Sequence, residues 1–259
     1  MADIDSYCIK LRAENLQVTV GLNGVPLLTD WNAEGLVTTR PVNEWIMPGK
    51  NRFTASLAWP ADRPFKEGRA LLRAVLFRAD PSSAAPKPAV ELASFTWPDP
   101  ERPEAYPVEL AEEVEFDPAP PAMALWQQAE PVGELTPADE DAIVQRVNEL
   151  RKAVVEGRAE DAYSLCEIKY TDDAAANGLD PATLRQAVID QYKMIGGQAN
   201  AQSAPLGLDD ALLTPVADNR LVHVGAGGDP AAFKVSGDDF TAAFPVFVAK
   251  IGGEWTIVR

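Results

Sequence analysis

A chain of 259 residues, 46% hydrophobic and 24% charged, is long enough for two ordinary cores and too apolar to be disordered by default. Its 39 Asp and Glu against 23 Lys and Arg leave a net charge of -16, a field that repels nucleic acid and anionic lipid and speeds encounter with a basic partner. The surplus is even: residues 1–134 hold 12 basic and 20 acidic side chains, residues 135–259 hold 11 and 19, so each part carries -8.

The opening "MADIDSYCIK" has no basic cluster and no apolar run, so no signal peptide is expected. No stretch approaches the roughly eighteen apolar residues of a membrane span. The expectation is a cytoplasmic protein with no membrane partner. Cys8 and Cys166 fall in different halves with no ligand at metal spacing, and two buried reduced thiols fit the same compartment. No motif implies a cofactor or a metal.

Residues 7 to 117 read in period two. "LQVTVGLNGVPLL" sets Leu16, Val18, Val20 and Leu22 on one face, and Asn23-Gly24 is a dipeptide that tolerates positive φ in a tight hairpin. "NRFTASLAW" repeats the alternation, with Phe53, Ala55, Leu57 and Trp59 inward, directly after the turn "PGK". "LLRAVLFR" and "VELASFTW" are apolar on both faces and read as central strands. "YCIKLRAEN" opens the set and "VELAEEVEFD" closes it. About seven strands without an amphipathic helix predict an antiparallel β-sandwich over residues 1–117.

Five prolines between Pro118 and Pro137 then mark a linker over 118–136, with "MALWQQ" packing locally through Trp126. Beyond it the period becomes 3.6. Thr136 caps a helix, Pro137 takes its first position and Asp139 favours its dipole; Ile143, Val147, Leu150 and Val154 form its face. A second helix is predicted from Ala159 through Ile168, then a capping loop, "TDDAAANGLD", over 171–180. A third opens at Asp180-Pro181 and ends at Gly196-Gly197. Strand-like segments follow: "ALLTPVA", "RLVHVGA", "AFKVSG", "AFPVFVAKI" and "EWTIVR". Residues 137–259 therefore predict an α+β domain, with helices packed on a curved antiparallel sheet.

"WIMPGKNRFTASLAW" resembles the strand opening of carbohydrate-binding-like jelly rolls, which implies a sandwich; no sugar site is carried over on fifteen residues. The order of elements in 137–259, closed by the pattern G-x-W-x-I-x-R at Gly253, Trp255, Ile257 and Arg259, resembles the nuclear-transport-factor-2-like (SnoaL-like) superfamily, also described as cystatin-like. That resemblance implies a cone whose interior is a pocket in the superfamily's enzymes. The residues here that such a pocket would use are Tyr163, Tyr192 and His223. The superfamily spans isomerases, dehydratases, hydrolases and non-catalytic modules, so the fold selects no reaction.

"VELAEEVEFD" is the most charged element. Glu109, Glu113, Glu115 and Asp117 alternate with Val108, Leu110, Val114 and Phe116, so four carboxylates share one face over about 27 Å. Two readings stand side by side: an edge strand using charge to prevent stray sheet pairing, and a surface that docks a basic protein. With two globular parts, no export signal and no recognisable catalytic set, the profile resembles cytoplasmic immunity proteins that neutralise basic, often nuclease, bacterial toxins. The functional expectation is a non-enzymatic inhibitor of this kind; the alternative is a small-molecule binder or isomerase/hydrolase-type enzyme using the cone. Oligomeric state is left open.

Overall fold

The computed structural model describes residues 5–30, 33–60, 70–80, 86–98, 107–117 and 123–259. Its contacts divide the chain into two compact units, Met1–Pro121 and Ala122–Arg259. Pro118–Ala122 of the expected linker and Glu101–Tyr106 of the acidic region lie outside the described residues. Among the described residues no helix is long and apolar enough to cross a membrane.

The described residues of the first unit form eight strands: β1 (Tyr7–Glu14), β2 (Gln17–Leu22), β3 (Val25–Asp30), β4 (Leu36–Pro41), β5 (Lys50–Ala58), β6 (Leu71–Ala79), β7 (Pro88–Trp97) and β8 (Val108–Glu115). They form two antiparallel sheets, ordered β4-β1-β6-β7 and β3-β2-β5-β8. Register follows the apolar alternation. Val18, Val20 and Leu22 of β2 stand opposite Leu57, Ala55 and Phe53 of β5, all six buried. A one-residue slip would turn every one of them to the other face. Phe53 stacks on Phe95 of the other sheet at 4.8 Å, so the two inner faces meet.

The turns are built as their residues require. Asn23 and Gly24 both take positive φ, 56° and 77°, which fits the tight β2–β3 hairpin. Asn23 is also buried: its amide donates to the Trp45 carbonyl (3.1 Å) and to Asn51 Oδ1 (2.8 Å). Asn51, the last residue of "PGKN", accepts from Met47 N–H at 2.8 Å and donates to the Met47 and Gly49 carbonyls, both at 2.9 Å. Its side chain closes the turn and has no capacity left for a sugar. Trp45 and Trp97 are buried and Trp59 is half-buried.

One expectation for this unit is corrected. "VELASFTW" reads as a central strand, but among the described residues β7 is the edge of its sheet, paired only with β6, and Val90, Glu91, Ser94 and Thr96 are exposed. "LLRAVLFR", by contrast, is central. Leu72, Ala74 and Leu76 face inward, and Val75 and Phe77 are buried on the opposite face with Cys8.

The second unit begins with α1 (Ala124–Gln128), followed by α2 (Pro137–Val155), α3 (Ala159–Leu165), α4 (Glu167–Asn177), α5 (Pro181–Gly196), and strands β9 (Ala211–Val216), β10 (Leu221–Ala226), β11 (Phe233–Ser236), β12 (Thr241–Phe244), β13 (Val246–Ile251) and β14 (Glu254–Ile257). Residues 123–132, in the span expected to be linker, are built into this unit. Met123, Leu125, Trp126, Ala129 and Val132 are buried, Glu130 bridges to Lys250, and Val132 N–H donates to the Asn219 carbonyl at 2.6 Å.

The sheet runs β14-β13-β10-β9, antiparallel throughout, with β11-β12 as a separate hairpin. Chain order shows what this is. β10 and β11 are one strand interrupted at residues 227–232, β13 and β12 are its partner interrupted at Pro245, and proline cannot donate to the ladder there. Val222, Val224, Val246, Val248, Trp255 and Ile257 face the helices and share a core with Ile143, Val147, Leu150 and Val154 of α2 and Val188, Ile189, Tyr192 and Ile195 of α5. Full burial of each such aliphatic side chain stabilises by roughly 1.5–3 kcal/mol at most. Gly196 is required where α5 ends against α2, because a Cβ there would stand 2.4 Å from the Val154 carbonyl oxygen and 2.6 Å from Gly157 Cα.

The helices also differ from the sequence reading in two places. The second predicted helix breaks at Cys166 into α3 and α4, and α4 extends through Asn177, so "TDDAAAN" is helix. Only Gly178, left-handed at φ 62°, Leu179, and Asp180, which caps α5, are loop. Asp172 is thereby brought inside, with 2% of its side chain exposed, where its Oδ2 accepts from Arg259 Nη2 (3.2 Å) and Leu125 N–H (3.2 Å).

Two carboxylates join the layers of this unit. Asp139 closes the predicted cap as a full capping box, with Thr136 Oγ1 and N–H donating to its Oδ2 at 2.6 and 3.2 Å. Its Oδ1 accepts from Trp255 Nε1 at 3.0 Å and Lys250 Nζ at 3.2 Å, tying the start of α2 to β14 and β13. These donors, Thr136 first and Trp255 next, hold its carboxyl far below the usual carboxylate range. A depressed folded-state pKa contributes stability above the unfolded value of about 3.9 and loses it as pH falls through the folded one. Asp139→Asn is expected to cost about 1–2 kcal/mol in denaturant unfolding at neutral pH, with the gap to wild type narrowing only below about pH 4. A gap independent of pH would refute the assignment. For the buried pair, Asp172→Ala is expected to cost about 3–5 kcal/mol, because it takes the carboxylate away from a buried guanidinium. Asp172→Leu with Arg259→Met should recover most of that loss, and a double variant as unstable as the single one would show that the pair itself is needed.

Candidate functional site

Among the described residues strand β8 pairs only with β5, so the acidic element is the edge of its sheet there. Leu110, Val114 and Phe116 are buried, while Glu109, Glu113, Glu115 and Asp117 are exposed on the opposite side, as the alternation predicts. Glu112 has the parity of the buried residues and is exposed nonetheless. What the single strand does not disclose is its neighbour. Lys50 and Arg52 of β5 stand in register with Glu115 and Glu113, and Ser56 with Glu109. Lys50 Nζ reaches Glu113 Oε2 at 2.9 Å and holds that carboxyl below its ordinary range, and Ser56 Oγ donates to Glu109 Oε1 at 2.5 Å. Both ends of the Lys50–Glu113 pair are about two-thirds exposed, so water and salt screen it and it adds little stability. The strip thus carries four carboxylates against two cations, with Glu112 exposed besides, so the strand edge retains a negative surplus.

The residues assigned to a cone pocket separate into two places. Tyr163, Tyr170 and Tyr192 come together from α3, α4 and α5. The Tyr163 and Tyr170 rings stack at 5.4 Å, and the Tyr170 and Tyr192 hydroxyls hydrogen-bond at 2.7 Å. The Tyr192 hydroxyl also donates to Cys166 Sγ at 3.9 Å. The Tyr192 ring lies over Phe244 of β12 at 6.5 Å, and Phe244 stacks on Phe233 of β11 at 4.6 Å. These rings occupy the space between α5 and the bent hairpin. Burial pushes both tyrosine hydroxyls well above the ordinary phenol range and the Cys166 thiol up to about 11. Nothing in such a cluster favours an ionised nucleophile or base at neutral pH.

His223 does not join them. Its neighbours Val222 and Val224 face the helices, so the imidazole emerges on the other side of the sheet. There it stacks on Phe247 at 4.6 Å, and its Nε2 donates to the Pro230 carbonyl at 2.9 Å. Burial lowers its pKa, with the Pro230 bond opposing. The resemblance assigns His223 to the cone, but the alternation turns it to the face of the sheet away from the helices. Two further segments that attract attention in the sequence are structural. "GAGGDP" is a turn, closed by Ala226 N–H to Asp229 O at 3.0 Å. Within the G-x-W-x-I-x-R pattern, Trp255 and Ile257 are core, Arg259 pairs with Asp172, and Gly253 N–H donates to Glu130 Oε1 at 2.9 Å. Among the described residues no three His, Cys, Asp or Glu side chains converge at a spacing that would hold a metal ion.

Comparison with protein families, with curated proteins and with solved structures yields no match. Chemistry must therefore be argued from the geometry. Both thiols, Cys8 and Cys166, are buried, and burial raises both pKa values. Neither is expected to react with an aromatic disulfide reagent at about pH 8 in the native protein, and both should react on denaturation. Rapid native labelling of Cys166 would show that the tyrosine cluster opens, and would return a nucleophilic role to consideration.

Proposed function

We propose that this chain is a non-enzymatic binding protein that docks a basic protein on its acidic edge strand, in the manner of a cytoplasmic immunity protein masking a cationic nuclease toxin. The observation that carries this reading is the strip itself: Glu109, Glu112, Glu113, Glu115 and Asp117 exposed at a sheet edge, opposed by Lys50 and Arg52 alone on the neighbouring strand. Carboxylates so arranged offer lysines and arginines of a partner charge-assisted bonds, and the charge of -16 steers the approach. On this reading the two compact units are two domains, a β-sandwich and a cone-shaped α+β domain of the nuclear-transport-factor-2-like kind. The layered sheets of the first, and the order of helices before a bent antiparallel sheet in the second, support that description.

The alternative, a small-molecule enzyme working inside the cone, draws no support from Tyr163 and Tyr192, whose rings pack against neighbours, or from His223 on the opposite face.

The test is stopped-flow association with a panel of purified cationic secreted nucleases at rising salt. Association with a true partner is expected to slow steeply between low and physiological ionic strength. Replacing Glu109, Glu113 and Glu115 by Gln and Asp117 by Asn should slow it about tenfold or more at low salt, with dissociation changed less. Association rates that ignore both salt and the fourfold substitution would overturn the proposal.

A further inference from the structure

Where β10 and β11 interrupt one another, the chain bulges outward and leaves a groove of about 390 Å³ in the second unit. Its floor is apolar, made by Leu206, Ala231, Ala232 and Phe233, all buried, and Phe233 is backed by Phe244. Its rim carries three charges, Asp210, Asp229 and Lys234. The volume lies within the range of small-ligand sites, about 300–1,000 Å³.

Both walls are held in place from behind. Asn148 of α2 treats Leu206 as a strand partner would: its Oδ1 accepts from Leu206 N–H at 2.9 Å and its Nδ2 donates to the Leu206 carbonyl at 2.9 Å. Arg151, one turn along, donates to the Ser203 carbonyl at 2.7 Å. The opposite wall is the turn at Gly227 and Gly228, both left-handed, and Gly227 N–H donates to the Asp210 carbonyl at 2.9 Å, fastening one wall to the other. Gly225 makes room for the bulge, since a Cβ there would meet the Asp229 carbonyl oxygen at 2.6 Å. A groove fixed in this way needs no reorganisation to accept a ligand.

The rim charges are not equivalent. Asp229 is engaged: its Oδ1 accepts from Ala231 N–H at 2.9 Å and its Oδ2 pairs with Lys234. Among the described residues nothing donates to the Asp210 carboxylate. We infer that this groove binds a small organic cation, a protonated primary amine with an apolar body, whose ammonium meets Asp210 and whose hydrophobic part lies on Phe233, Leu206 and the two alanines. An anionic ligand would have only Lys234 to address, already neutralised by Asp229; a neutral one would draw no charge attraction from the Asp210 carboxylate, which stays hydrated. The site lies in the other unit from the acidic strip, and its test is independent of the proposal above.

The probes are phenethylamine, its neutral isostere phenethyl alcohol and the anion hydrocinnamate, measured by calorimetry and by saturation-transfer NMR on the full chain. Phenethylamine is expected to bind with a Kd of about a millimolar or tighter, and the alcohol and the anion about tenfold more weakly or not at all. Since a chain of -16 gathers cations over its whole surface, the amine's preference must be localised by variants. Asp210→Asn should weaken the amine about tenfold, the loss of one charge-assisted hydrogen bond. Lys234→Gln, which releases Asp229 and removes a like charge, should tighten it severalfold. Ala204→Trp fills the groove from its exposed lip and should abolish binding. All three positions are exposed, so thermal midpoints should match wild type and a loss of binding is not a loss of fold. Alcohol binding as tight as the amine, unchanged affinity in Asp210→Asn, weaker affinity in Lys234→Gln, or no binding at about 10 mM amine would each overturn the assignment.

Discussion

The second unit depends on one carboxylate. Helix α2 must start at a fixed height above the sheet for its Ile143–Val154 face to meet the valines of β10 and β13, and Asp139 sets that height. It is the third residue of the cap and the acceptor for Trp255 and Lys250, so one side chain terminates a helix and docks it. A helix N-terminus leaves four amide hydrogens without intrahelical partners, and a carboxylate there gains from the dipole as well as from its bonds. Drawing two more donors from the sheet onto the same group makes the helix start and the sheet edge a single cooperative object. Asp172 does for α4 and the α1 segment what Asp139 does for α2, at greater depth and with the Arg259 guanidinium as a charged partner.

The acidic strip obeys a different balance. Four exposed carboxylates on one face repel each other weakly in water, and Lys50 and Arg52 reduce even that. Their net effect on stability is therefore small, which frees the strip for two tasks that do not compete. On the proposed reading, the charges that would attract a basic protein also keep the β8 edge of an isolated chain from pairing with another chain. Edge protection requires only that the residues be charged. Docking requires the sign, and sign is what salt and charge-neutralising substitutions report.

How much of this was legible in the sequence differs by feature, for physical reasons. Period-two and period-3.6 patterns disclosed nearly every strand and the bounds of α2 and α5, because those elements bury one face against one layer. β7 was misread as central because apolar residues on both sides of a short run look alike whether a strand is covered or lies at an edge. The break at Cys166 left no signal, since no glycine or proline marks it. Asp172 was hidden by its own neighbours: "TDDAAANGLD" has loop composition, and only the distant Arg259 makes a buried aspartate tenable there. For His223 the pattern gave the alternation but not which side of the sheet the helices cover. For β8 the strip was visible, and its two cations were not, because the Lys50 and Arg52 register is a fact about β5.

The groove escaped sequence reading for a related reason. Its residues come from a loop after α5 and from a bulge between strands, and neither has a period; glycines at 225, 227 and 228 read only as a turn. Yet its charge follows from the same composition that gives the strip. With -8 in each part of the chain, every recess and every edge is biased toward cations, and composition alone cannot distinguish among them. Shape makes the distinction. A flat, solvated strand edge bonds long side chains of a macromolecule, each contact weak and screened, so affinity there must come from many contacts and from steering. A recess with an apolar floor and one carboxylate open to a ligand excludes water from one side of a single contact, so affinity there comes from burying the apolar body of a small amine. The two proposed sites would be the same field expressed on two geometries, dividing cations by size.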